Sequence, residues 1–285
     1  SSLPTVNGEK IVIRILSTGQ IALRKITDLG MSDYNYRMFE SMIKCPHGVM
    51  LVTGPTGSGK TTTLYAALGE LAKPNVNVIT VEDPVEKQID GINQVQVNAK
   101  AGMTFAAALR SILRQDPDIV MIGEMRDSET AEIGIRAAIT GHLVLSTLHT
   151  NDAASTIVRL VDMGIPPYMV ASSLIGVIAQ RLVKVLCPKC KTARMSTPDE
   201  NKLMKLDHSV PIYESRGCPE CNNTGYKGRT AIHEIIHCSA GISTLIADNA
   251  SKEELEICAK KTPRQSRRRR RRSPARPRRN PGRKG

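Results

Sequence analysis

Val49-Met-Leu-Val-Thr-Gly-Pro-Thr-Gly-Ser-Gly-Lys-Thr-Thr62 is a short apolar run that breaks into a glycine-rich turn and then into residues able to open a helix. Gly54 to Thr61 fits GxxxxGK[ST], and a strand before it with a helix after it, to about Ala72, is the context that motif requires. Glycines let the backbone curl so that successive N–H groups point inward at a phosphate, and the helix that starts there adds its positive end. Gly54, Pro55, Thr56, Gly57, Ser58 and Gly59 would form the cradle and Lys60 would reach the β- and γ-phosphates. The Thr61 hydroxyl can ligate Mg²⁺, with Thr62 next on the helix. The bland alternative, a glycine turn with an incidental lysine, ignores both flanking elements. The pattern points to nucleoside-triphosphate binding and is silent on what hydrolysis would drive.

Outward from this stretch, short Val/Ile/Leu runs alternate with helical patterns. Val76–Val81, Ile119–Ile122 and Leu143–Leu148 read as buried strands. Thr104–Gln115 reads as a helix with Thr104 as N-cap, Ser128–Ile139 as another, and Ala153–Met163 as a third that ends at Gly164. Such alternation predicts an α/β fold with a parallel sheet covered on both faces. Upstream, residues 9–16 read as a strand and a helix is expected near 33–44. Residues 251–260 read as a small helix with Ser251 and Glu254 spaced as a capping box.

Two acidic segments could complete the phosphate site. Asp118-Ile-Val-Met-Ile-Gly-Glu124 is an apolar strand ending in an acid, the form of a Walker B. Thr80-Val-Glu-Asp-Pro84 places Glu82 and Asp83 at the end of the preceding strand. In parallel sheets the carboxyl ends of the strands face the bound ligand. Hydrolysis needs one carboxylate to orient or deprotonate water and another to hold the metal's water shell. The other reading of each acid is a helix cap or a solvated loop. His142 and His149 flank the next strand, and a histidine there can sense the γ-phosphate. Taken by themselves they read as capping or satisfied side chains.

Cys187-Pro-Lys-Cys190 and Cys218-Pro-Glu-Cys221 form CxxC-x27-CxxC in a turn-rich region. Two such turns can close a Cys₄ site around one tetrahedral Zn²⁺, structural because every ligand is protein. Redox-active thiols are the alternative, less suited to a doubled motif outside a βαβ start. Cys45, Cys238 and Cys258 read as small apolar residues.

The 285 residues are 40% hydrophobic, which excludes wholesale disorder, and lack Trp, so the core rests on Ile, Val, Leu, Met and Ala. Net charge is +13, but residues 263–285 hold 12 of the 40 Lys and Arg with no acid, leaving residues 1–262 at +1. A neutral body argues against a nucleic-acid surface, and the Arg/Pro-rich tail would bind any polyanion in a salt-dependent way. No run reaches the ~18 uninterrupted apolar residues of a spanning helix. The best candidate, Tyr168–Leu186, is broken by Ser172, Ser173, Gln180, Arg181 and Lys184. Ser1-Ser-Leu-Pro4 is neither a signal nor a transit peptide.

Gly54–Thr61, Ile79–Glu86, Leu113–Asp127 and Gly141–Asp152 together closely resemble the bacterial secretion ATPases, the traffic ATPases of type II secretion and type IV pilus assembly. The resemblance runs from about Ser1 to Lys261. It implies a RecA-like P-loop NTPase core with a parallel-rich sheet over 33–186. A remnant of a preceding N-terminal domain and linker would span 1–32. A tetracysteine zinc insert would fill 187–228 and a C-terminal helical segment 229–262. Residues 263–285 are expected to be a disordered basic tail and read as if translated in another frame. It also implies a homo-hexameric ring that binds ATP between subunits with Mg²⁺, and a region upstream of residue 1 that docks on an inner-membrane platform protein. The protein is expected to be cytoplasmic, peripheral at the inner membrane, and to bind no specific nucleic acid. By the same resemblance Glu82 polarises the attacking water and Glu124 helps hold Mg²⁺ through water, with the two roles exchangeable. His149 belongs to a His box, and Arg14 sits where an arginine of the preceding domain meets the γ-phosphate. The zinc insert favours secretion or pilus assembly over retraction. The rivals are a P-loop motor acting on nucleic acid and a truncated, ATP-binding copy without catalysis.

Overall fold

A computed structural model describes residues 2–13 and 25–261; Arg14 and the basic stretch 263–285 lie outside them. β1 (Ser2–Thr5) and β2 (Gly8–Ile11) make an antiparallel hairpin with every residue exposed. Of the strand read over 9–16, residues 9–11 fall in β2, 12 and 13 lie past its end, and 14–16 lie outside the described residues.

The body then alternates as expected. α1 (Asp33–Ile43) is capped by Ser32, β3 (Gly48–Thr53) leads through the glycine turn into α2 (Lys60–Leu71), and β4 (Val78–Glu82) and β5 (Asn93–Gln96) follow. α3 (Phe105–Ile112) takes its N-cap from Thr104, whose hydroxyl accepts the Ala107 N–H. Next come β6 (Ile119–Ile122), α4 (Ser128–Ile139), β7 (Leu143–Leu148) and α5 (Ala153–Asp162). The stretch with the longest apolar character then divides: α6 (Pro167–Ser173) gives way to β8 (Leu174–Leu186). No helix of the described residues is long and apolar enough to cross a membrane.

Past Leu186, β9 (Thr192–Met195), α7 (Pro198–Met204) and β10 (Pro211–Glu214) form a small unit in which β9 and β10 pair antiparallel. β11 (Tyr226–His237) then returns to the main sheet, and α8 (Ala240–Ala247) and α9 (Lys252–Lys261) close the described chain. Residues 229–237 are thus strand, not the start of a helical segment. Their partner is β8, with Ile236 opposite Val177 and Ala231 opposite Leu182, and Ala231 and Ile236 are the apolar residues this strand buries. The capping box of α9 forms as read: the Ser251 N–H donates to Glu254 Oε2 at 2.8 Å and the Glu254 N–H to Ser251 Oγ at 3.3 Å.

The seven-stranded sheet runs β11-β8-β3-β7-β6-β4-β5, parallel throughout except for the β11–β8 pair. Successive residues of a strand face opposite sides, so Val49 and Leu51 join one core and Met50 and Val52 the other. The first core is closed by α3, α4, α5, α6, α8 and Leu255 of α9, the second by α1 and α2. Burial on both faces is why the central strands read as continuous apolar runs.

Candidate functional site

The carboxyl ends of β3, β4, β6 and β7 open onto one cleft of about 540 Å³. The glycine turn and α2 supply Thr56, Gly57, Ser58, Gly59, Lys60, Thr61 and Thr62; β4 supplies Glu82, and the segments after β6 and β7 supply Glu124 and His149. Gly54 and Pro55 complete the turn from below: the Lys60 ammonium donates to their carbonyls at 2.9 and 3.3 Å. The N-cap of α2 is Gly59, whose φ of +87° bends the chain and which brings no side-chain cap. The first amides of α2 are therefore left for an anion. The Ser58 hydroxyl, buried in the same turn, has no hydrogen-bond partner among the described residues. Burial lowers the Lys60 pKa, and the facing Glu124 carboxylate offsets only part of that lowering. These residues fit a triphosphate. The hydroxyl of Thr61 and the carboxylate of Glu124 are hard oxygen donors of the kind Mg²⁺ takes.

The two acids differ in setting. Glu82 is 3% exposed. Its Oε1 accepts from the Thr80 hydroxyl at 2.6 Å and the Gln94 amide at 3.1 Å, and its Oε2 accepts from the Tyr65 hydroxyl. Burial and this bond to Glu82 push the Tyr65 phenol well above its ordinary value. Glu124 is more open. It pairs with Arg126 through Oε1, and its Oε2 lies 3.4 Å from His149 Nε2. His149 is held there because the neighbouring Thr150 N–H donates to Thr53 Oγ1 at 3.0 Å, tying the loop after β7 to the end of β3. His142 is elsewhere: its Nδ1 donates to the Ala137 carbonyl at 2.9 Å, closing the end of α4.

Residues that sequence reading did not single out also reach the cleft. Arg126 follows Glu124, and Arg229 arrives from β11, where it stands opposite Lys184. Arg126 lay inside a quoted motif and could have been found. Arg229 lay in a segment read as helical, and only the β8–β11 pairing carries it here.

The four cysteines of the CxxC pairs converge, with all four sulfurs within 4.8 Å of one another. Cys187–Cys218, Cys190–Cys221 and Cys218–Cys221 are separated by 3.9, 3.8 and 3.7 Å. Four sulfurs ~2.3 Å from a shared tetrahedral zinc are about 3.8 Å apart, so the spacing fits Zn²⁺. The Cys221 sulfur also accepts the N–H groups of Cys218 and Gly225 at 3.2 Å each. Burial by itself would raise this thiol, but those amides outweigh it and bring Cys221 to about 6. Burial and the bond from Cys221 take Cys218 to about 11. Cys238 and Cys258 pack against the core as apolar groups, and burial pushes Cys238 to about 12.

The model of the type II/IV secretion system protein family matches residues 1–278. The chain belongs to that family. It is 51% identical over 257 residues to the type II secretion system protein E of Pseudomonas aeruginosa, covering 90% of this chain and 51% of that protein. Identity to the type II secretion system ATPase E of Vibrio cholerae is 50% over 258 residues, again 90% and 51%. The crystal structure of the pilus retraction motor PilT with bound ADP is 30% identical, with a TM-score of 0.63 over 85% of this chain and 60% of that one. The chain spans about half the length of the curated relatives it matches. The chain shares the α/β core of that ATPase, and it carries a tetracysteine cluster beyond β8.

Proposed function

We propose that this chain is the ATP-hydrolysing portion of a motor that powers type II protein secretion or assembly of a type IV pilus or pseudopilus. The observation that carries this reading is the single cleft lined by Lys60, Glu82 and Glu124, each at the carboxyl end of a parallel strand or on the helix that follows one. Phosphoryl transfer is mostly positioning and charge stabilisation. The amides of the glycine turn and the Lys60 ammonium hold the phosphates. Glu82, fixed by three donors, is oriented to polarise water, and Glu124 stands with Thr61 where a cation would be held. Mg²⁺, when bound, supplies charge that neutralises the transferring phosphoryl group. A homo-hexameric ring, an inner-membrane platform partner and a cytoplasmic site at the inner membrane belong to the same proposal, supported by relatives named as type II secretion proteins. The tetracysteine cluster supports assembly or secretion over retraction.

The test is Mg²⁺-dependent phosphate release from ATP by the purified chain, together with ATP binding. If neither is measurable, the motor reading fails. Removing residues 263–285 addresses the nucleic-acid rival. Nucleic-acid binding is expected to vanish with them in moderate salt, and its survival would favour that rival.

Tyr65 carries a second prediction. Replacing it with Phe keeps the ring and deletes one donor to Glu82. Turnover is expected to fall about tenfold, the worth of one charge-assisted hydrogen bond, with ATP affinity unchanged because Tyr65 lies behind the carboxylate. Full activity in Tyr65→Phe would mean that the orientation of Glu82 is not needed for the reaction.

A further inference from the structure

β3 ends at Thr53 and its neighbour β8 does not. Thr53 opposite Ala179 is the last pair between them, so Gln180 is the first residue of β8 to face the glycine turn. Its side chain is buried, 3% exposed, with both ends of the amide engaged. Nε2 donates to the Ser58 carbonyl at 2.7 Å, and Oε1 accepts from the Thr63 hydroxyl at 2.7 Å. A carbonyl can only accept, which fixes the amide nitrogen toward Ser58 and the oxygen toward Thr63. One side chain thus joins the turn just before α2 to the first turn of α2 itself. The turn also passes close to Gln180: a Cβ on Gly54 would stand 2.3 Å from the Gln180 backbone carbonyl oxygen, and one on Gly59 would stand 2.9 Å from its side-chain Nε2. Glycine at 54 is required by the approach of the Gln180 backbone as well as by the curl of the turn, and at 59 by the φ of +87°.

We infer that Gln180 is a positioning residue for nucleotide binding. It does not line the cleft that holds Lys60, Glu82 and Glu124. It holds the Ser58 carbonyl outward, so that the amides of the turn face the cleft before ATP arrives. The inference rests on the nucleotide reading of the cleft. The brace is anchored on a strand that ends at Leu186, just before Cys187, and pairs with the strand carrying Arg229, so the phosphate turn is fixed to the same element that leads into the cysteine cluster. The two ends of the amide are not equivalent. Thr63 Oγ1 also lies 3.4 Å from the Gly59 carbonyl, an alternative acceptor, so the Ser58 end is the sensitive one. Gln180→Glu keeps an oxygen toward Thr63 and sets a second oxygen against the Ser58 carbonyl.

The experiment is calorimetric titration of the full chain with ATP and Mg²⁺, with thermal midpoint and zinc content measured on the same nucleotide-free samples. Gln180→Ala and Gln180→Glu are each expected to weaken ATP binding about tenfold or more, through the lost donor and the unordered turn, with zinc content unchanged and only a small fall in midpoint from the buried groups left unpaired. Thr63→Val is expected to weaken it less, and Gln180→Ala with Thr63→Val no more than Gln180→Ala alone. Unchanged affinity in both Gln180 variants overturns the inference. So does a loss of affinity that comes with a matching fall in midpoint or zinc, since that marks a general packing role. If the unaltered chain binds no ATP, the nucleotide reading fails and the inference falls with it. Binding by the unaltered chain and by both variants alike sinks the inference alone.

Discussion

Lys60→Ala is expected to reduce ATP turnover about 10³-fold or more, the scale of removing a preorganised charge from a transition state. Lys60 is the one cation of the cleft rooted in the phosphate turn itself. Its Nζ is held at the Gly54 and Pro55 carbonyls, and its side chain is 9% exposed, so little water competes with it. The other cations of the cleft do not replace it: Arg126 is paired with Glu124, and Arg229 enters from β11. The substitution should leave the fold intact. Ala is the best helix former at the start of α2, and the lost side chain faces the cleft, not either apolar core. The variant is therefore expected to melt with the unaltered protein while phosphate release falls to background. Equal rates for the two would leave a nucleotide-binding copy without catalysis as the better account of the chain.

The elements that build this cleft could be read along the sequence because each is local. Parallel strands buried on both faces show as apolar runs and the helix between them as a local pattern, so strands Ile119–Ile122 and Leu143–Leu148 and helix Ser128–Ile139 have the same bounds in sequence and structure. Lys60, Glu82 and Glu124 each sit just past such a run. What could not be read is long-range. β11 is an edge strand of alternating small, polar and apolar residues, and only its pairing with β8 makes it a strand. Gln180 and Ser58 are 122 positions apart, and Gln180 reads in sequence as one of the polar breaks in an apolar segment. Tyr65 looks like ordinary core of α2, and the phenol's tie to Glu82 depends on how β4 lies against that helix. Gln94 is on the edge strand β5, where nothing in the sequence connects it to a carboxylate.

Stripping zinc from the cysteine cluster, or replacing Cys221 with Ser, is expected to unfold residues 187–225 while leaving the sheet and the phosphate cleft in place. Among the described residues between 187 and 225, the buried apolar side chains are Cys187 and Cys221 themselves, whereas Met195, Leu203, Met204 and Tyr213 are exposed. A unit with so little apolar burial has no core to order it, and in such modules the free energy of metal binding is the folding free energy, ~10–16 kcal/mol near neutral pH in zinc-finger peptides. The α/β body has two buried clusters on either side of its sheet and needs no such staple. Hydrogen exchange on the zinc-depleted chain should therefore show lost protection in β9, α7 and β10 and retained protection in β3, β6 and β7. Uptake has a pH signature with a definite sign. Zinc binds thiolates, so every thiol still protonated must release its proton on binding. Cys218, raised to about 11, releases one at neutral pH, while Cys221, lowered to about 6, is already ionised there and releases almost none. Affinity should therefore rise with pH across the neutral range because of Cys218, and fall more steeply below about 6, where Cys221 also begins to hold a proton. Full protection of β9 and β10 in metal-free protein would show that the insert folds without zinc and that the four thiols serve some other chemistry.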